Sequence, residues 1–162
     1  MTSKSLFVES VRSNRTTALF ISLTSLFFAL FVWHVSVAYY DGWSILSLCL
    51  SIVFLFYVFN YRTLTIRLEK DVLLLKFGIF TLTIPRGNID NIQLDEIPLA
   101  MKYGGAGIHF MLIKGRYRVS FNFLEYPRVV IALKSRQGLV RDVSFSTQKP
   151  DELIHLIKSR VI

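Results

Sequence analysis

Cysteine is almost missing from this chain of 162 residues: Cys49 is the only one. A disulfide framework and a thiolate metal site are therefore both excluded. Histidine is nearly as scarce. His34, His109 and His155 lie too far apart in sequence for zinc-ligand spacing, so no metal and no cofactor is expected. There are four prolines and eight glycines, with no Gly/Ser-rich linker, low-complexity segment or tandem repeat among them. The most informative scarcity is of charge. No Asp, Glu, Lys or Arg occurs from Thr16 to Tyr40 or from Gly42 to Tyr61, stretches of 25 and 20 residues parted only by Asp41.

What fills those stretches is apolar. Hydrophobic residues make up 52% of the chain, and its mean hydropathy is +0.47. A helix needs about 20 residues to cross a hydrocarbon core ~30 Å thick. Two spans are therefore expected, at about 16–40 and 42–61. Trp33, Tyr39, Tyr40, Trp43, Tyr57 and Tyr61 cluster at their ends, where the bilayer interface favours aromatic rings. The link around Asp41 is too short for anything but an antiparallel hairpin. A cleaved signal peptide is the rival reading of Arg12, Arg15 and Ser36-Val37-Ala38, but the apolar run is too long and a second span follows at once. His34, beside Trp33, is expected at the outer interface.

Orientation follows from the flanks. Lys4, Arg12 and Arg15 precede the hairpin, Arg62, Arg67, Lys70 and Lys76 follow it, and the link has no cation. The positive-inside bias then predicts an integral protein of the cell (inner) membrane with both termini cytoplasmic. Residues 1–15 form an N-terminal tail on this reading, and 62–162 a cytoplasmic domain.

In that domain the pattern changes to alternation with period two. Residues 63–68, 72–77, 80–84, 89–94, 108–113, 117–123, 129–133 and 140–145 read as eight short strands, with glycine and charged turns between them. Even spacing favours a small antiparallel β barrel or sandwich. Pro150, Asp151 and Glu152 then open a helix over about 150–161, with Leu153, Ile154, Leu156, Ile157 and Val161 on one stripe. The fold class is an α+β membrane protein.

The segments Ile84-Pro85-Arg86-Gly87-Asn88-Ile89 and Tyr103-Gly104-Gly105-Ala106-Gly107-Ile108, within this order of strands and final helix, resemble the pleckstrin-homology-like domains of prokaryotic membrane proteins. In similar proteins the second segment reads approximately Tyr-Gly-Gly-Trp-Gly-Ile-Arg; here Ala106 and His109 replace the aromatic and the cation. The resemblance implies a membrane-anchored interaction module with no common assigned activity.

Residues that could carry chemistry are few. Gly104, Gly105 and Gly107 precede a strand rather than a helix, so they read as a structural turn and not a phosphate cradle. Asp90, Asp95 and Glu96 cluster on one segment without a converging partner, and Ser120, Ser144 and Ser146 lack a nucleophile elbow. No catalytic site is expected. Sixteen basic and nine acidic residues follow Tyr61, and the basic hairpin Lys114, Arg116 and Arg118 is the candidate contact for lipid headgroups or a partner protein. Alternation puts Arg116 and Arg118 on one face. The same charge carries no nucleic-acid recognition motif. The expected function is non-enzymatic binding of a partner protein or the anionic membrane surface. The alternative is an accessory subunit or regulator of a larger membrane transport or secretion complex. Ser22, Thr24, Ser25, Ala29, Ser44, Ser47 and Ser51 would permit close helix packing within or between chains, including a homo-oligomer.

Overall fold

A computed structural model describes residues 5–38, 40–95, 107–113, 115–123 and 125–159. The order of elements is β1 (Phe7–Arg12), α1 (Asn14–Ala38), α2 (Gly42–Asn60), β2 (Thr63–Leu68), β3 (Val72–Phe77), β4 (Phe80–Pro85), a 3-10 turn (Arg86–Asn88) and β5 (Ile89–Leu94). Then come β6 (Gly107–Ile113), β7 (Arg116–Asn122), β8 (Arg128–Gln137), β9 (Val140–Ser146) and α3 (Pro150–Lys158).

The two long helices pair as a hairpin. Buried Ser13 opens α1 by accepting the Thr16 N–H at 2.9 Å. Asp41 opens α2 by accepting the Ser44 N–H at 2.8 Å, while Ser44 Oγ accepts the Asp41 N–H at 3.0 Å, a reciprocal capping box. Ser44, Ser47 and Ser51 form the buried stripe of α2, and Ser51 donates to the Thr24 carbonyl of α1 at 3.2 Å. These small residues thus close the hairpin within the chain. Both helices are long and apolar enough to cross a membrane, and Leu26, Phe28, Ile45 and Ile52 among others point outward, exposed.

Among the described residues nine strands form two sheets, of four strands (β1-β2-β3-β4) and five (β5-β8-β9-β7-β6). They face each other as a sandwich, and among the described residues neither sheet closes into a barrel. Every pairing is antiparallel except β7 with β9, which is parallel.

The eight strands expected after Tyr61 are all present, and β1 is a ninth. Residues 7–12 are therefore not tail but an edge strand, paired along its length with β2 from Phe7↔Leu68 to Arg12↔Thr63. Its pattern is hidden by Glu9, which occupies an inward position between Phe7 and Val11. The carboxylate of Glu9 accepts from the Thr147 hydroxyl and from the Gln148 N–H at 2.8 Å, tying the first strand to the approach to α3.

Leu64, Ile66, Leu73, Leu75, Phe77 and Ile84 from one sheet meet Ile89, Ile92, Phe121, Ile131, Val143 and Phe145 from the other, and Leu153 and Ile157 of α3 join the same core. Ile89 and Ile92 break the period of two, yet both are buried, because a register shift between Ile89 and Asn91 turns the strand. The segment Ile84–Ile89 joins the sheets. Arg86 donates to the Leu156 carbonyl at 3.0 Å, satisfying an end carbonyl of α3. Asn88 exchanges two hydrogen bonds with the backbone of Ser135, at 2.8 and 3.0 Å.

Hairpin and sandwich are joined by aromatic rings. Phe20, Tyr57, Tyr61, Phe77 and Phe123 follow one another at centroid separations of 5.3, 4.8, 5.1 and 5.2 Å. The Tyr126 hydroxyl donates to the Arg12 carbonyl at 2.8 Å, and Arg15 approaches Glu125 at 3.5 Å. Gly107 opens β6 with φ +101°, its α-carbon beside the Tyr61 ring. Arg12, Thr63, Phe77 and Gly107 thereby mark the end of the sandwich next to the helices.

Candidate functional site

The expected basic hairpin lies between β6 and β7. Lys114 lies outside the described residues, as do Gly104 and Gly105; Gly107 is in place as a positive-φ residue. From Gly107, where an added β-carbon would meet the Tyr61 ring, strand β6 runs six residues to Ile113. At ~3.3 Å per residue the β6–β7 turn is about 20 Å from the helix end. The β8–β9 turn lies at that same far end, since Gln137 donates to the Thr83 carbonyl near the end of β4.

Arg116 and Arg118 do share a face of β7, with Ser120 and Asn122, while Val119 and Phe121 enter the core. The shared face is nevertheless not open to solvent along its length. Arg118 is only 7% exposed. Its guanidinium holds Asp95 at 2.9 Å and Asp142 at 3.9 Å, and Arg116 meets Asp142 at 3.1 Å. The parallel register sets Arg118 beside Asp142 and Ser120 beside Ser144, whose hydroxyls lie 2.6 Å apart. Asp95 is fixed by its own backbone, donating to the Arg128 carbonyl at 2.9 Å. Arg118 is thus consumed by internal ion pairs rather than offered to a headgroup, and Arg116 alone remains half-exposed.

Sequence reasoning passed over Asp142 and counted Arg128 only within the surface cationic surplus; together they complete this cluster. Burial lowers the pKa of the Arg128 guanidinium, opposed by the Asp95 carboxylate and reinforced by the like charge of Arg118. Burial also lowers the pKa of His109, again reinforced by a cation, Arg128. His109 is therefore a neutral ring at neutral pH, paired in register with Ser120. Among the described residues neither nitrogen of His109 and neither amide atom of Asn122 has a hydrogen-bond partner. Leaving such a group unpaired costs about 1–3 kcal/mol. The only signal for this face in the sequence is the alternation of Arg, Ser and Asn on β7 with Asp and Ser on β9.

At the far end the exposed side chains mix character. Leu112, Tyr117 and Leu139 are exposed apolar residues, and Lys134, Arg136 and Arg141 stand exposed beside them. The outer face of α3 adds a shallow groove lined by Asp151, Ile154, His155, Lys158 and Ser159. Asp90 is exposed and Asp95 buried, so these two acids do not converge; Glu96 lies outside the described residues. Among the described residues no three of His, Cys, Asp or Glu come together. The chain matches no protein-family model, no curated protein and no solved structure.

Proposed function

We propose that this protein is a membrane-anchored, non-enzymatic interaction module of pleckstrin-homology-like fold, and that it binds a partner protein through the end of its sandwich remote from the helices. The observation that carries this reading is the far end itself, where Leu112, Tyr117 and Leu139 are exposed beside Arg136 and Arg141. Aromatic and arginine side chains around an apolar centre suit a protein interface. The complementary partner surface is acidic and apolar. Anionic lipid is the weaker occupant, because Arg118 is spent internally and the turn stands about 20 Å from the helix exits.

The membrane reading rests on the outward-facing apolar side chains of both helices. Pairing of β1 with β2 supports one side for both flanks, and their cations favour the cytoplasmic side of the inner membrane. Photocrosslinking in native membranes tests the proposal. A photoreactive residue at Leu139 or Tyr117 is expected to give one discrete adduct with a second protein, weakened by Arg136→Glu with Arg141→Glu. Adducts from Phe28 of α1 instead, with none from the far end, would favour the accessory-subunit reading. No adduct from any position overturns partner binding.

A further inference from the structure

The end of the sandwich next to the helices has its own surface. Gly78, in the β3–β4 turn, has φ +60°, and a β-carbon there would fall 2.3 Å from the carbonyl oxygen of Asn60, the last residue of α2. The turn is therefore pressed against the helix end, with no room for a side chain between them. The next two residues point away from the core: Ile79 is 70% exposed and Phe80 is exposed as well. Phe59, on the last turn of α2, is also exposed. An apolar turn tip and an apolar helix end thus stand side by side without a protein cover among the described residues.

Cations surround them. Arg12 ends β1, Arg15 lies in the first turn of α1, Arg62 follows α2 and Lys76 is the penultimate residue of β3; all four are exposed, Arg15 while also 3.5 Å from Glu125. The opposite end of the same sheet carries Glu69, Lys70 and Asp71 at the β2–β3 turn, with Arg67 3.9 Å from Glu69. Along this sheet, charge is basic where the helices leave and mixed where they do not. An apolar tip within a basic ring matches the interface of an anionic leaflet, which draws cations to its surface and accepts apolar groups just beneath. The surface is also continuous with the apolar outer face of the hairpin.

We propose that Ile79 and Phe80 enter the bilayer interface, with Arg12, Arg15, Arg62 and Lys76 as a ring of headgroup contacts, so that the sandwich sits directly on the membrane. This rests on the membrane reading of the hairpin, and it assigns lipid contact to residues other than the β6–β7 turn.

Three labelled variants of the full chain test it, each in a Cys49→Ser background: Ile79→Cys, Leu139→Cys and Ile52→Cys. Leu139 is as exposed as Ile79, at 70%, but at the far end, and Ile52 faces outward from the middle of α2. Each carries an environment-sensitive fluorophore and is reconstituted in phosphatidylcholine–phosphatidylglycerol vesicles. Nitroxide-bearing lipid and aqueous iodide serve as quenchers. The expected result is loss of most fluorescence at positions 79 and 52 with nitroxide lipid, and at 139 with iodide. Lipid quenching at 52 with iodide quenching at 79 overturns the membrane-seated turn and leaves the spans standing. Iodide quenching at all three positions overturns both. A label at 79 shielded from both quenchers assigns the patch to a second copy of the chain and overturns lipid contact.

Discussion

The four-stranded and five-stranded sheets are built from the same alternating code, and apolar residues dominate both inner faces. Their outer faces differ. On the four-stranded sheet Ser10, Arg67, Lys76 and Thr83 are exposed. On the five-stranded sheet the corresponding positions, among them Arg118, Ser120, Asn122, Asp142, Ser144 and Ser146, are buried. Alternation reports which side chains share a face; it carries no information about what covers that face. A polar residue on an open face is a solubilising group, whereas on a closed one it must find a partner within the protein.

The two outer faces differ most in their ion pairs. Arg118→Ala takes the 2.9 Å ion pair from buried Asp95 and leaves Asp142 to Arg116, and should cost about 3–5 kcal/mol of stability. Arg67→Ala on the other sheet removes only a surface contact with Glu69 at 3.9 Å and should cost roughly 0–1 kcal/mol. Chemical unfolding of the full chain in mild detergent, compared at the two midpoints, checks the difference; equal shifts would deny the distinction between the faces.

Glu9→Ala is the next largest effect. It removes two bonds to a carboxylate and leaves Thr147 and the Gln148 N–H without their acceptor, for about 1.5–3 kcal/mol. Hydrogen exchange should show α3 loosening together with β1, whose sheet is otherwise distant in sequence.

Two glycines of near-identical φ sharpen the contrast between turns. Gly78 (+60°) abuts Asn60, whereas Gly138 (+61°) has nothing within 4 Å of an added β-carbon. Gly138→Ala should cost only the left-handed penalty, about 1–2 kcal/mol. Gly78→Ala adds a backbone collision to that penalty, so its melting temperature should fall further. Equal melting temperatures would mean that the turn and helix end are not in contact.

The smallest effect is a pH slope. His109 has a folded-state pKa below its ordinary 6.5, so the unfolded chain binds the proton first as pH falls. Its full contribution to stability is present above pH 6.5 and declines from there toward the lowered folded value. His109→Gln should flatten that part of the stability profile, measured by unfolding at stepped pH, and leave the profile above it unchanged.

Much of this architecture is legible in the residues alone. Absence of charge delimits the hairpin to within two residues at each outer end, and period-two runs locate eight strands. The ninth escapes because Glu9 stands where an apolar residue is expected. Strand order escapes as well: nothing local in Tyr117–Phe123 says that it will lie parallel to β9. The candidate site suffers from the same limit. Arg116 and Arg118 are identical in type and two apart, yet Asp95 and Asp142 converge on the second from elements 23 and 24 residues away. Only the three-dimensional register separates a half-exposed cation with one carboxylate partner from a buried one held between two.

The pairing of β1 with β2 has a consequence for how the chain matures. Phe7–Arg12 emerges from the ribosome before either helix, but its partner Thr63–Leu68 emerges after both. The first sheet stays incomplete until the entire hairpin has been made and has folded back on itself. On the proposed topology, a chain that inserted one span and stalled would hold the two strands on opposite sides of the bilayer, with Val11 and Leu64 unable to meet. Completion of the sheet is then a readout of correct insertion.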